Sequence, residues 1–265
     1  MLLLHETGVA FDPSWSLHPS TLIGTGVLAA LYVWGIRARR RGHEAERPLP
    51  VWRVVCFVAS CIVLLGSLNG PLHDLSDEYL FSAHMLQHLL LQLIWPILLL
   101  TGIPPWLLSP VFRPAWIRKP AVFLTRPVVA GLLFSLTIVA FHVPDLYDVM
   151  MQDHDMHILI HLVFMATAVI MWWPVLSPAP EVPRVSPGVQ MLYLFLIGIP
   201  MQAVAAPISL ADSVLYRFYE EAPRVWGLTP LEDQQIGGLL MWVPGGLFLA
   251  GVIAVIFFRW ARTEV

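Results

Sequence analysis

Charged side chains are scarce in this sequence, at 12% of 265 residues against 57% hydrophobic. A water-soluble domain of that length carries about 25% charged residues, so a soluble globular protein is excluded at the outset. Cysteine is scarcer still. Cys56 and Cys61 are the two cysteines, and their spacing is neither CxC nor CxxC. Five residues apart on a helix they point to different faces, so a thiol metal site or a disulfide framework is not expected and a packing role is. The N-terminus lacks a basic stretch followed by a small-residue cleavage site, and no removal of a leader is expected. No internal repeat, low-complexity tract or composition shift marks a second domain. Residues 1–265 therefore read as a single transmembrane domain, with an N-terminal segment to residue 20 and a helix bundle over 21–260. No nucleophile–base–oxyanion set, phosphate loop or nucleotide motif stands out, and an enzyme is not expected.

What the sequence has in abundance is long apolar runs. They cover Leu22 to Ile36, Val51 to Leu68, Leu80 to Leu100, Pro127 to Phe141, Met156 to Trp173, Gln190 to Ile208 and Ile236 to Phe258. Each approaches the length needed to cross a hydrocarbon core about 30 Å thick. They are continuously apolar rather than alternating, which predicts helices and not a barrel. The expected fold is an all-α integral membrane protein, a bundle of seven transmembrane helices. Pro96, Pro200 and Pro244 should kink three of them.

Charge sorts along the chain. With the N-terminus outside, the inner connections hold Arg37, Arg39, Arg40, Arg41, Arg47, Arg53, Arg113, Arg118, Lys119, Arg126, Arg184, Arg259 and Arg262. Only Arg217 and Arg224 fall outside, while Asp74, Asp77, Glu78, Asp145, Asp148, Asp153 and Asp155 crowd the first two outer connections. The positive-inside bias predicts the N-terminus outside and the C-terminus inside. The basic run after the first helix reads as a topology determinant that attracts anionic lipid, not as a nucleic-acid site.

Histidine is concentrated toward the outer side, His43 excepted. His5, His18 and His73 read as solvent-facing. His84 and His88 lie one turn apart on the third helix, with Gln92 continuing the stripe and Met85 beside it. His157 and His161 repeat that pair on the fifth helix, with Met165 next, His154 one turn earlier, and His142 ending the fourth helix. Two imidazoles at i, i+4 chelate one ion without backbone strain. Polar groups inside a membrane face the bundle interior, which favours one shared site. Imidazole with nearby thioether favours Cu(I), and no carboxylate lies within the histidine stripes. Thr229 and Glu232 fit a capping box at the start of the seventh helix. Asp233, Gln234 and Gln235 remain to support the histidines as acceptors, and Gly237-Gly238 permits close helix approach.

The segments HMLQHLL from His84, FHVPDLYD from Phe141, HDMHILIHLVF from His154, WWPVL from Trp172 and PLEDQQIGGLLMWVPGG from Pro230 resemble the CtaG-type cytochrome c oxidase assembly factors. These are the multi-spanning bacterial proteins associated with caa3-type oxidases, not the single-span copper chaperones. The resemblance covers roughly residues 20 to 260. It implies seven helices in the bacterial plasma membrane, a haem-copper oxidase subunit as partner, and a part in inserting copper. The family's histidines fall on His84, His88, His142, His157 and His161. Two departures stand out. Phe141 occupies a position often held by tryptophan, and Ile160 one often held by an acid, which removes a candidate ligand.

The expected function is thus oxidase assembly, with Cu(I) held between the third and fifth helices by the outer histidines. A haem-binding redox protein with axial histidines is the alternative, beside a scaffold whose histidines bind nothing. A proton pathway or transporter would need ionisable residues continuing inward, and little follows beyond Gln92.

Overall fold

A computed structural model of the chain describes residues 16–40 and 49–264. His5, His43, Arg41 and Arg47 lie outside the described residues, as do the side chains of Arg39 and Arg40. The described residues form helices and no strands. Pro105, Pro127, Pro144, Pro187 and Pro230 each occupy the first turn of a helix. A missing N–H there costs no hydrogen bond, and the fixed φ already suits the helix.

Helix α1 (Pro19–Arg40) and α2 (Val51–Ser67) come first. The chain then bends by 43° into the short, acid-rich α3 (Gly70–Glu78). The central span is Phe81–Gly102, built from α4 (Phe81–Leu89), a π-helical turn (Leu90–Ile94) and α5 (Trp95–Gly102). Pro96 explains that turn. It has no N–H to donate to the Gln92 carbonyl, so the local pattern widens, and the freed carbonyl accepts instead from the Trp172 indole at 2.8 Å. Two short helices follow, α6 (Pro105–Phe112) and α7 (Ala115–Leu124), and α7 turns by 66° into α8 (Pro127–Phe141). Then come α9 (Pro144–Gln152), α10 (His154–Leu176), α11 (Pro187–Ser209), α12 (Arg217–Glu221) and α13 (Pro230–Glu264).

Among the described residues, five helices are long and apolar enough to cross a membrane, or seven if each bent pair is one span. The central span packs against α2, α10 and α13; α11 lies along α13, and α8 closes the far side against α10 and α11. Helix α1 is peripheral, touching α2 and α6. The main core runs between these helices and includes Phe81, Met85, Phe164, Met171, Trp172 and Leu194. Glycines set the closest approach. A Cβ on Gly237 would run into the Phe81 ring and Met85, and one on Gly238 would lie 2.7 Å from the Ser209 nitrogen. The glycine pair therefore seats α13 between α4 and α11. Cys56 and Cys61 are free thiols, half-buried on α2.

Candidate metal centre

The i, i+4 spacing gives α4 one histidine face and α10 another, and the packing turns the two faces toward each other. Within a helix, the ring centroids of His84 and His88 are 4.3 Å apart and those of His157 and His161 are 4.5 Å apart. Across the helices, His84 lies 5.4 Å from His157 and 5.6 Å from His161, and His88 lies 5.1 Å from His161. His142, just past the end of α8, is 6.3 Å from His88. All five imidazoles are buried.

Their ligand atoms converge in two overlapping sets. One nitrogen each from His84, His88 and His161 lie within 4.8 Å of one another. So do single atoms of Asp77, His84 and His157. Three imidazole nitrogens bound about 2.0–2.1 Å from one ion stand roughly 3.5 Å apart, so small side-chain rotations close either set on a cation.

The hydrogen-bond accounting separates this cluster from ordinary buried histidines. His142 donates through Nδ1 to the Ile138 carbonyl at 2.7 Å, which leaves Nε2 as a lone-pair nitrogen. Among the described residues, that Nε2 has no partner, nor do His84 Nδ1, His157 Nε2 or either ring nitrogen of His88 and His161. Leaving a buried polar atom unpaired costs about 1–3 kcal/mol, and native interiors rarely tolerate it. Seven such nitrogens in one place fit a cluster completed by a bound cation.

A second layer fixes these rings. Phe164 packs 4.8 Å from His88. Tyr216 donates to the His142 carbonyl at 3.0 Å, Tyr219 to the Ser76 carbonyl at 2.5 Å, and Tyr147 to the Tyr219 hydroxyl at 3.4 Å. Burial pushes all three phenols above their ordinary pKa, so they remain protonated donors. Through Ser76, Tyr219 anchors the turn of α3 that carries Asp77.

Several expectations are revised. A carboxylate does reach the histidines: Asp77 Oδ1 lies 4.0 Å from His157 Nε2, brought over by the bend into α3. Ile160 packs in the apolar core. Among the described residues, Asp233 makes no hydrogen bond to the imidazoles. It accepts from the Phe81 and Ser82 backbone N–H groups at 2.7 and 3.0 Å and from the Ser82 hydroxyl, capping α4 from another helix. Gln234 accepts from the Leu215 N–H at 2.6 Å and so ties down the segment before α12. Met85 is buried in the core and packs toward Gly237. His154 is exposed and lines the cavity beside His157 with His18 and His73. His73 is largely covered rather than solvent-facing, 3.1 Å from Gln87 Nε2. The Thr229–Glu232 capping box forms as expected.

A family model described as cytochrome c oxidase caa3 assembly factor matches residues 30–263. Among similar proteins, an uncharacterised protein of Mycobacterium leprae is 26% identical over 276 residues, covering 97% of this chain and 41% of its own. Another, from Mycobacterium bovis, is 26% identical over 264 residues, covering 92% of this chain and 39% of its own. The chain thus spans about two fifths of the length of these relatives. No solved structure matches it.

Proposed function

The chain belongs to the cytochrome c oxidase caa3 assembly factor family, and from that premise we propose that it binds Cu(I) at His84, His88 and His161 and passes it to a haem-copper oxidase subunit. In this reading it is a non-catalytic, multi-pass protein of the bacterial plasma membrane, with its N-terminus and histidines on the outer side. His142 and His157 complete the cluster.

The observation that carries the reading is the set of imidazole nitrogens unpartnered among the described residues, together with the convergence of one nitrogen each from His84, His88 and His161 within 4.8 Å. Neutral imidazoles in a dry site suit a soft monovalent ion held by few ligands. Low coordination also suits delivery, because a ligand from a docking partner can add before one of the chain's own leaves. The same convergence disfavours haem. Two axial nitrogens must stand on opposite faces of a macrocycle, and here a third imidazole and the ring of Phe164 crowd the plane between them. The two-histidine, one-carboxylate set of Asp77, His84 and His157 favours zinc or iron(II) as a second reading.

The test is metal analysis with a visible spectrum on protein purified after growth with copper. About one copper per chain is expected, without a haem band, and none in His84→Ala/His157→Ala. Stoichiometric zinc or iron instead would support the second reading. Wild-type protein that takes up no Cu(I) under reducing conditions would remove the copper reading altogether.

A further inference from the structure

The two ligand sets share His84. They also differ in depth and chemistry. The His84–His88–His161 set is wholly buried, whereas Asp77 is partly exposed. Asp77 also lines a second cavity, of about 940 Å³, with Glu78, Asp145, Asp148, Glu221 and Arg217. Asp148 is engaged there, accepting from the Arg217 and Phe218 backbone N–H groups. Five carboxylates against one guanidinium still make this a vestibule that concentrates cations. At its inner wall, Asp77 accepts from the Ser76 hydroxyl at 2.9 Å through Oδ1. Beyond it stands the buried, unpartnered His157 Nε2.

We propose that the cluster is loaded in two steps. Cu(I) from the vestibule is first held by Asp77, His84 and His157. It then passes to His84, His88 and His161 as Asp77 and His157 are exchanged for the two deeper imidazoles. His84 stays bound throughout, so the ion is never released into the low-dielectric interior. No electron moves, and the Asp77 carboxylate is left charged at the vestibule wall, where water reaches it. The inference rests on the copper-binding reading above and assigns Asp77 as the loading ligand.

The experiment follows anaerobic Cu(I) uptake by the full chain in detergent, by stopped flow and by equilibrium competition with bicinchoninate. Asp77→Asn keeps the size of the side chain and removes the charge. It should slow uptake by about tenfold while changing equilibrium affinity less than about threefold. A His88→Ala/His161→Ala variant, shown to be folded by its thermal melt, should retain one ion about 100-fold more weakly, with an oxygen ligand in its X-ray absorption spectrum. Wild-type uptake rates in Asp77→Asn would overturn the two-step route and leave the copper site standing. So would an affinity loss in Asp77→Asn as large as that of the double variant, which would make Asp77 part of one single site. Absence of Cu(I) binding by the wild type would overturn both readings together.

Discussion

Two buried polar groups stand at the same end of this bundle and differ in one respect. At the start of α13, Asp233 accepts three hydrogen bonds, Gln234 two-sidedly bridges Leu215 and Ser213, and Gln235 donates to the Ala211 carbonyl. His88 and His161, buried on α4 and α10, make no hydrogen bond at either ring nitrogen among the described residues. Both groups are polar residues in an apolar setting, and composition alone treats them alike. The satisfied group spends its capacity on backbone and so holds helices and loops in place. The unsatisfied group keeps its lone pairs free, and a free lone pair in a dry interior is what an ion requires.

If that contrast is right, the two groups should respond in opposite ways to substitution. Asp233→Ala is expected to have the largest effect on the fold. It strands two backbone N–H groups at the α4 N-terminus and one hydroxyl, at a cost of about 3–5 kcal/mol. Chemical or thermal unfolding in detergent should show this directly. The fraction that remains folded should still bind Cu(I) with little change in affinity, because no ligand has been removed. A large loss of affinity in that folded fraction would break the distinction between the two groups.

His161→Leu should do the reverse. Leucine matches the volume of the imidazole closely enough, and it replaces two unpaired nitrogens with apolar contact. The apo protein should be unchanged or more stable by about 1 kcal/mol. Cu(I) affinity should fall by up to about 100-fold, since one of the three deeper nitrogens is gone. Destabilisation of the apo protein would mean that His161 serves packing after all.

Much of this was legible in the sequence, for identifiable reasons. Helix spacing alone puts His84 over His88 and His157 over His161, because i and i+4 share a face whatever the tertiary structure. The apolar runs gave the helices for a similar reason, since length and hydropathy are local properties. Pro96 announced a break in the central span, although not that the break would be a π-turn whose freed carbonyl is taken up by Trp172. The approach of Asp77 to His157 was hidden because it depends on the 43° bend between α2 and α3, which no periodicity records. Tyr216 and Tyr219 were missed for want of any local pattern; they lie in a short connection and matter only through contacts with α8 and α3. Asp233 was legible as an acceptor at the start of the last helix, but its donors are Phe81 and Ser82 and not the histidines. The sequence shows that an acceptor is present, and only packing shows that the nearest donors are the first N–H groups of another helix.

The smallest effect sharpens the comparison from the same helix terminus. Thr229 and Glu232 cap α13 on its exposed side, Thr229 Oγ1 accepting from the Glu232 N–H at 3.2 Å and Glu232 from the Thr229 N–H at 2.9 Å. Thr229→Ala removes one of these bonds while water remains available to the freed N–H. The expected loss is about 0.5–1 kcal/mol, read as a slightly lower melting temperature, with Cu(I) affinity and uptake rate both at wild-type values. Four residues on, Asp233 offers no such replacement, because its donors are buried with it. The ratio of the two stability losses therefore measures burial, with helix, terminus and capping chemistry held nearly constant. If Thr229→Ala proved as costly as Asp233→Ala, the stability at this end would come from the cap of α13 itself. The attachment of α4 to α13 through Asp233 would then no longer explain how the helix bearing His84 and His88 is held in register with α10.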